Sequence, residues 1–212
     1  MPVSGIRIDK VVTSGTFSLD GGTWDVDNNV WVIGDDTECV VIDAAHDATA
    51  INEAIGDRRL THILCTHGHD DHIDAVRDLV ALHEGTPVLI HDADRMLWDR
   101  KINVPPDGAL TDGQSIAVGG AELKVVHTPG HSPGACCFLL DGQHVLFSGD
   151  TLFQGGPGAT GRSFSDFGTI IDSIRDKLLT LPPETVVHTG HGDDTSIGAE
   201  APHLQEWIDR GE

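Results

Sequence analysis

The chain has 212 residues, the size of one large domain and long enough to bury its own core. Its 34 acidic residues against 13 basic ones give a formal charge of −21, which repels nucleic acid and anionic membrane surfaces and leaves metal ions and small molecules as partners. The 13 histidines equal the lysines and arginines together, so imidazole chemistry at metals or protons is the feature to locate.

Short β-branched apolar runs between turn residues predict strands over 6–13, 29–33, 39–43, 62–66, 88–91, 122–127, 135–140, 145–148 and 185–189. Between them, segments of helical period predict helices over 48–55, 73–83, 93–99, 169–179 and 202–209, several opened by Asp or Ser caps. The intermixing gives an α/β (α+β) class, and with no linker composition dividing it, 1–212 reads as one domain. No run reaches the length of a membrane span, and residues 1–20 lack the basic start and apolar stretch of a secretory leader, so a cytoplasmic protein is expected. Cys39, Cys65, Cys136 and Cys137 form no C-x-x-C pair, which fits free thiols in a reducing compartment.

Four of the predicted strands deliver a His or Asp just past their carboxyl ends: His67, His131, Asp150 and His191. In layered α/β folds such ends converge on ligand sites. The densest stretch is Thr66-His67-Gly68-His69-Asp70-Asp71-His72, with three imidazoles and two carboxylates in six positions from His67. Imidazole and carboxylate without thiolate suit zinc, iron or manganese better than an oxygen-only calcium or magnesium cage. Any one of these residues alone is an ordinary loop residue or helix cap, but so many ionisable groups packed together have little structural purpose without a cation. His67, His69, Asp71, His72, His131, Asp150 and His191 make seven candidates, more than one tetrahedral ion takes and enough for two ions sharing a carboxylate.

The T-H-G-H-D-D-H segment, T-P-G-H-S-P-G around His131, F-S-G-D-T around Asp150 and H-T-G-H-G around His191 resemble, in order and over most of the chain, the metal motifs of the metallo-β-lactamase superfamily. The resemblance implies a four-layer αβ/βα sandwich with two divalent metal ions at one edge. His67, His69 and His131 would bind one ion, Asp71, His72 and His191 the other, and Asp150 would bridge. Zinc is the expected metal, with iron or manganese as alternatives. Asp43 matches a strand-end Asp that supports the site by holding a ligand; read alone, it is a turn residue.

Asp150 stands where several secreted lactamases carry Cys. The resemblance is strongest to short glyoxalase II-like thioester hydrolases, through Asp150-Thr151-Leu152-Phe153-Gln154-Gly155-Gly156. Larger glyoxalases II hold glutathione with tyrosines and lysines of an extra helical domain, whereas this chain has no Tyr, so another thiol carrier such as mycothiol is an option. The implied reaction is hydrolysis of an acyl-thiol conjugate by a hydroxide shared between the two ions and oriented by Asp71. Two rival readings are a mononuclear iron persulfide dioxygenase using His67, His131 and Asp150 as a facial triad, and a non-catalytic metal-binding module.

Other motifs carry less. Gly130-His131-Ser132-Pro133-Gly134 fits G-x-S-x-G, but a strand rather than a helix follows, so it is no nucleophile elbow. Gly156 to Gly161 spells G-x-G-x-x-G without a helix directly after it and reads as a substrate-side loop. Arg95, Arg100 and Lys101 form the basic cluster, read as an exposed helix face or as an anchor for a carboxylate, and Arg162 follows Gly161 where relatives also have a Gly-Arg pair. His46, His62, His127 and His188 are read as supporting or packing residues and His203 as surface.

Overall fold

A computed structural model describes residues 5–140 and 142–211; residues 1–4, where the leader reading begins, lie outside them. The chain opens with β1 (Arg7–Leu19) and β2 (Gly22–Gly34), a long antiparallel hairpin. Its turn, Asp20-Gly21, has φ of 52° and 80°, the backbone that two-residue hairpins need and that Asp-Gly tolerates. Next come β3 (Glu38–Ile42), α1 (Ala48–Ile55), β4 (Arg59–Leu64), α2 (Asp70–Ile73), α3 (Val76–Leu82), β5 (Val88–His91), α4 (Arg95–Lys101) and β6 (Gly108–Leu110). Strands β1 to β6 form one sheet in sequence order, with β3 to β6 mutually parallel, so the helices serve as the crossovers that parallel pairing requires.

The second half holds β7 (Ser115–Val118), β8 (Ala121–His127), β9 (Cys136–Leu140), β10 (Val145–Gly149), β11 (Leu152–Phe153) and β12 (Gly156–Pro157). Helix α5 (Phe167–Ser173) runs into a wide turn at Ile174–Leu178, followed by β13 (Val186–Thr189), β14 (Thr195–Ser196), α6 (Ile197–Glu200) and α7 (Leu204–Arg210). The second sheet has the order β14-β13-β10-β9-β8-β7.

The period-2 alternation of strand side chains assigns the layers. Trp31, Ile33, Val40 and Ile42 face Leu123, Val125, Phe138 and Phe147 between the two sheets. Their neighbours Val30, Val32, Cys39 and Val41 point the other way, onto Ile51, Ile55, Leu79 and Trp98 of the first helical layer. Cys137, Leu146 and Val187 likewise leave the inter-sheet core for Ile170, Ile174, Leu178 and Trp207. The result is the expected four-layer αβ/βα sandwich.

Some boundaries differ from expectation. The hairpin strands extend well beyond 6–13 and 29–33, because their Ser-, Thr- and Asp-rich outer halves pair without being buried. The helix expected over 73–83 is two helices and starts earlier, at Asp70, where acidic residues suit a helix start. Between α2 and α3, Asp74 turns its carboxylate back to His46. Strands β6 and β7 are too short for their alternation to stand out. Among the described residues no helix is long and apolar enough to cross a membrane.

Candidate metal centre

All seven predicted ligands meet where the carboxyl ends of β4, β8, β10 and β13 converge. Past β4 the chain bends at Thr66, is extended at His69 and enters α2, which carries Asp71 and His72 on its first turn. Gly68 passes so close to α4 that a Cβ there would lie 2.8 Å from that of Leu97. Asp43 fastens this loop: Oδ1 accepts from Thr66 N at 2.7 Å, and Oδ2 accepts from Thr66 Oγ1 at 2.7 Å and from His72 Nδ1 at 2.8 Å. Its predicted supporting place is where the structure puts it.

Two sets of donors face one another. His69 Nδ1 lies 3.0 Å from Nε2 of both His67 and His131, and His72 Nε2 lies 3.2 Å from His191 Nε2 and 3.4 Å from Asp71 Oδ2. Asp150 sits between the sets, with Oδ1 3.4 Å from His72 Nε2, and Oδ2 3.3 Å from His191 Nε2 and 3.5 Å from His131 Nε2.

Outer hydrogen bonds fix which nitrogen is free. Thr66 Oγ1 gives its hydrogen to Asp43, so it accepts from His67 Nδ1 at 2.9 Å; the Nδ1 atoms of His131, His72 and His191 donate to Ala159 O, Asp43 Oδ2 and Asp27 O at 2.8, 2.8 and 2.7 Å. In its neutral form each ring leaves an Nε2 lone pair pointing inward. Lone pairs crowded this closely repel unless a cation lies among them, and Asp71 Oδ1 and Asp150 Oδ1 are buried without a hydrogen-bond partner. The donor set and its orphaned oxygens fit divalent metal ions of the zinc, iron or manganese type.

The field has the same sign. Burial, with neighbouring imidazoles, holds His67 and His69 well below the usual histidine range. Burial alone would depress His72 as well, but Asp71, Asp150 and Asp43 outweigh it and raise it well above that range. Burial would raise Asp150, yet His191 and His72 pull it well below the usual carboxylate range. Asp150 therefore stays ionised between the two sets.

Two close approaches exclude side chains. A Cβ on Gly190 would fall 2.2 Å from Asp150 Oδ1, and one on Gly158 would fall 1.7 Å from the Asp150 carbonyl oxygen. Asp94, which carried no signal in the sequence, is fully buried and joins two ligand loops: Oδ2 accepts from Gly68 N at 2.8 Å and Ser132 Oγ at 2.7 Å, and Oδ1 accepts from Gly134 N.

The centre forms the floor of a cleft with about 650 Å³ of empty space, walled by Phe17 and Trp24 of the hairpin and by Arg162, Ser163 and Ser165. The Arg162 guanidinium stacks 4.0 Å from the Trp24 ring and 5.1 Å from Phe17. The Phe17 and Trp24 walls were not foreseen, because the hairpin that carries them was read too short. The cluster Arg95, Arg100 and Lys101 does not line this cleft: Arg95 pairs with Asp99 on the outer face of α4, and Arg100 lies over Phe164. The G-x-S-x-G string runs into β9 and the G-x-G-x-x-G string forms β12 and the cleft-side loop, as expected. His127 stacks on His91, His188 packs on Trp31, and His203 is exposed beside Glu206.

Residues 23–191 match the metallo-beta-lactamase superfamily profile. The chain is 34% identical over 182 residues to hydroxyacylglutathione hydrolase GloC of Haemophilus influenzae, covering 78% of this chain and 85% of that protein. Among solved structures it resembles BLEG-1 B3 metallo-beta-lactamase, with TM-score 0.74 and 33% identity over 91% of this chain and 98% of that one. It resembles equally TTHA1623 in a di-iron-bound form, with TM-score 0.74 and 32% identity over 83% and 93%.

Proposed function

Because the chain belongs to the metallo-β-lactamase superfamily of metal-dependent hydrolases, we propose that it cleaves the thioester of a small acyl-thiol conjugate at two divalent metal ions, most simply zinc. The observation that carries this reading is the pairing of two complete donor sets through Asp150 at the floor of an open cleft. His67, His69 and His131 would hold one ion, and Asp71, His72 and His191 the other. When bound, such ions make water nucleophilic at neutral pH and polarise a carbonyl.

The chain's own groups do the rest. Asp71, with an unpartnered Oδ1, orients the attacking water. The water oxygen bonds to the acyl carbon, the C–S bond breaks with its electron pair going to sulfur, and a carboxylic acid and a thiol result. A thiol of pKa about 8.5 leaves without a strong acid. Phe17 and Trp24 exclude water on one side, and Arg162 offers an anionic carrier a cation in an otherwise acidic protein. GloC, named for a thioester hydrolase activity, supports the substrate class. The four buried free cysteines support a reducing, cytoplasmic setting, and the charge of −21 favours small molecules over nucleic acid or membrane.

A mononuclear dioxygenase would use His67, His131 and Asp150 alone, so the number and kind of ion bound and the substrate turned over separate the two readings. The test is metal analysis of the purified protein together with lactoyl-, formyl- and acetyl-thiol conjugates and a β-lactam. Two ions per chain and thioester cleavage lost in Asp71→Ala are expected. One iron with persulfide-dependent oxygen uptake, or a metal-replete protein that cleaves no thioester, refutes the proposal.

A further inference from the structure

Behind Asp71 the hydrogen bonds run in one line away from the cleft. Asp71 Oδ2, the oxygen nearest His72 and His191, accepts from Asn28 Nδ2 at 3.0 Å. Asn28 Oδ1 lies 2.9 Å from His46 Nε2, and His46 Nδ1 lies 2.9 Å from Asp74 Oδ2. Asp74 Oδ1 also accepts from the backbone N–H of His46 at 2.7 Å. Donor counting sets the direction: a carboxylate oxygen only accepts, so Asn28 turns its NH₂ to Asp71 and its carbonyl to His46, and the two ring nitrogens of His46 face acceptors at either end, Asn28 Oδ1 and Asp74 Oδ2.

The His46 ring is fixed from every side. Its backbone has φ of 58°, a left-handed conformation uncommon outside glycine. The side chain is 3% exposed, and Gly15 of β1 covers it so closely that a Cβ there would fall 2.2 Å from His46 Nδ1. Neither His46, Asn28 nor Asp74 lines the cleft. A ring so anchored, with its far nitrogen on the amide that grips Asp71, fits orientation rather than substrate contact.

We propose that His46 is a positioning residue for the second ion: through Asn28 it holds Asp71 Oδ2 toward His72 and His191, and so sets the affinity of that site separately from the His67, His69 and His131 site. The inference rests on the two-ion reading. Asp74 anchors the far end and Gly15 makes the room, so neither contact is replaceable by a larger or differently directed group.

The experiment is stepwise titration of the metal-free full chain with Zn²⁺ by calorimetry and with Co²⁺ by visible absorption, for wild type, His46→Ala, Asn28→Ala and Gly15→Ala, beside a thermal melt of each metal-free protein. The first ion is expected to bind within about twofold of wild type, and the second to bind about tenfold to a hundredfold more weakly, the range for outer partners of metal ligands. Gly15→Ala displaces the ring without removing a hydrogen-bonding group, so it decides the matter if His46→Ala fails to fold. A second-ion affinity within about twofold of wild type in the folded variants, or equal weakening of both ions in step with a lowered melting temperature, overturns the proposal. If wild type takes only one ion, the two-ion reading is what fails, and the positioning role falls with it.

Discussion

Replacing Asp94 tests the physical account of the centre most directly, because this residue touches no predicted ligand side chain yet holds two ligand loops together. Asp94→Ala strands three buried donors, Gly68 N, Ser132 Oγ and Gly134 N. At about 1–3 kcal/mol for each unsatisfied buried donor the gross loss is about 3–9 kcal/mol. Part is returned, because burial has pushed the Asp94 carboxyl above its ordinary value despite those three hydrogen bonds, so the wild type also carries the cost of a buried charge. A net loss of about 3–5 kcal/mol follows, a large share of the stability of a domain. Urea unfolding of the metal-free proteins, compared at equal m-value, measures it. Metal titration of the same variant should show the His67, His69 and His131 site weakened first, since Gly68 and Ser132 belong to the loops that carry those residues. Asp94→Asn keeps the shape but turns a donor toward donors, and it should lose stability as well. A loss below about 1 kcal/mol with unchanged m-value would refute the reasoning.

Further outcomes follow from other contacts. Gly190→Ala places a methyl where Asp150 Oδ1 lies and should weaken metal binding about tenfold or more while the chain still folds, read by metal analysis after dialysis. His91 is depressed by burial and then by stacked His127, so its neutral form is favoured in the fold. The stability it contributes is present above about pH 6.5 and is lost as the pH falls from there through its folded value; an NMR titration of His91 with its midpoint at or above 6.5 would contradict this. Burial raises all four thiols, Cys39 and Cys137 to about 11. Native protein should therefore resist iodoacetamide at pH 8 while unfolded protein reacts at all four, and rapid labelling of the native state would show the burial to be wrong.

Four of the candidate ligands, His67, His131, Asp150 and His191, were legible because each sits just past an apolar run, where strand period and chemistry change together, and His69, Asp71 and His72 because they crowd into the same short stretch as His67. The layers were legible for a related reason: Val30 to Ile33 alternate between two cores, and both faces are apolar. Asn28, His46 and Asp94 left no such mark. Asp94 reads as one of several acids near a helix start, and its three partners come from positions 68, 132 and 134, which only the fold brings together. The cleft wall was missed because Phe17 and Trp24 stand among polar residues in the outer hairpin, where alternation serves pairing rather than burial. Asp43 was legible only through the family resemblance, since a strand-end Asp read alone is a turn residue.

The division of the ligands between the two sheets has a mechanical meaning. His67, His69, Asp71 and His72 follow β4 of the first sheet, whereas His131, Asp150 and His191 follow β8, β10 and β13 of the second. Backbone bonds already stitch that edge, Cys136 N to Thr66 O and Asn29 N to Gly190 O, both at 2.8 Å. An ion drawing donors from both sides would act as a hinge pin: the halves of the sandwich could not part there without first surrendering it. Its free energy of binding would then also be adhesion between the sheets, about 2.7 kcal/mol at a free ion concentration a hundredfold above Kd. A mutation deep between Trp31 and Phe147 and a chelator in the buffer would thus pull on the same joint from opposite ends.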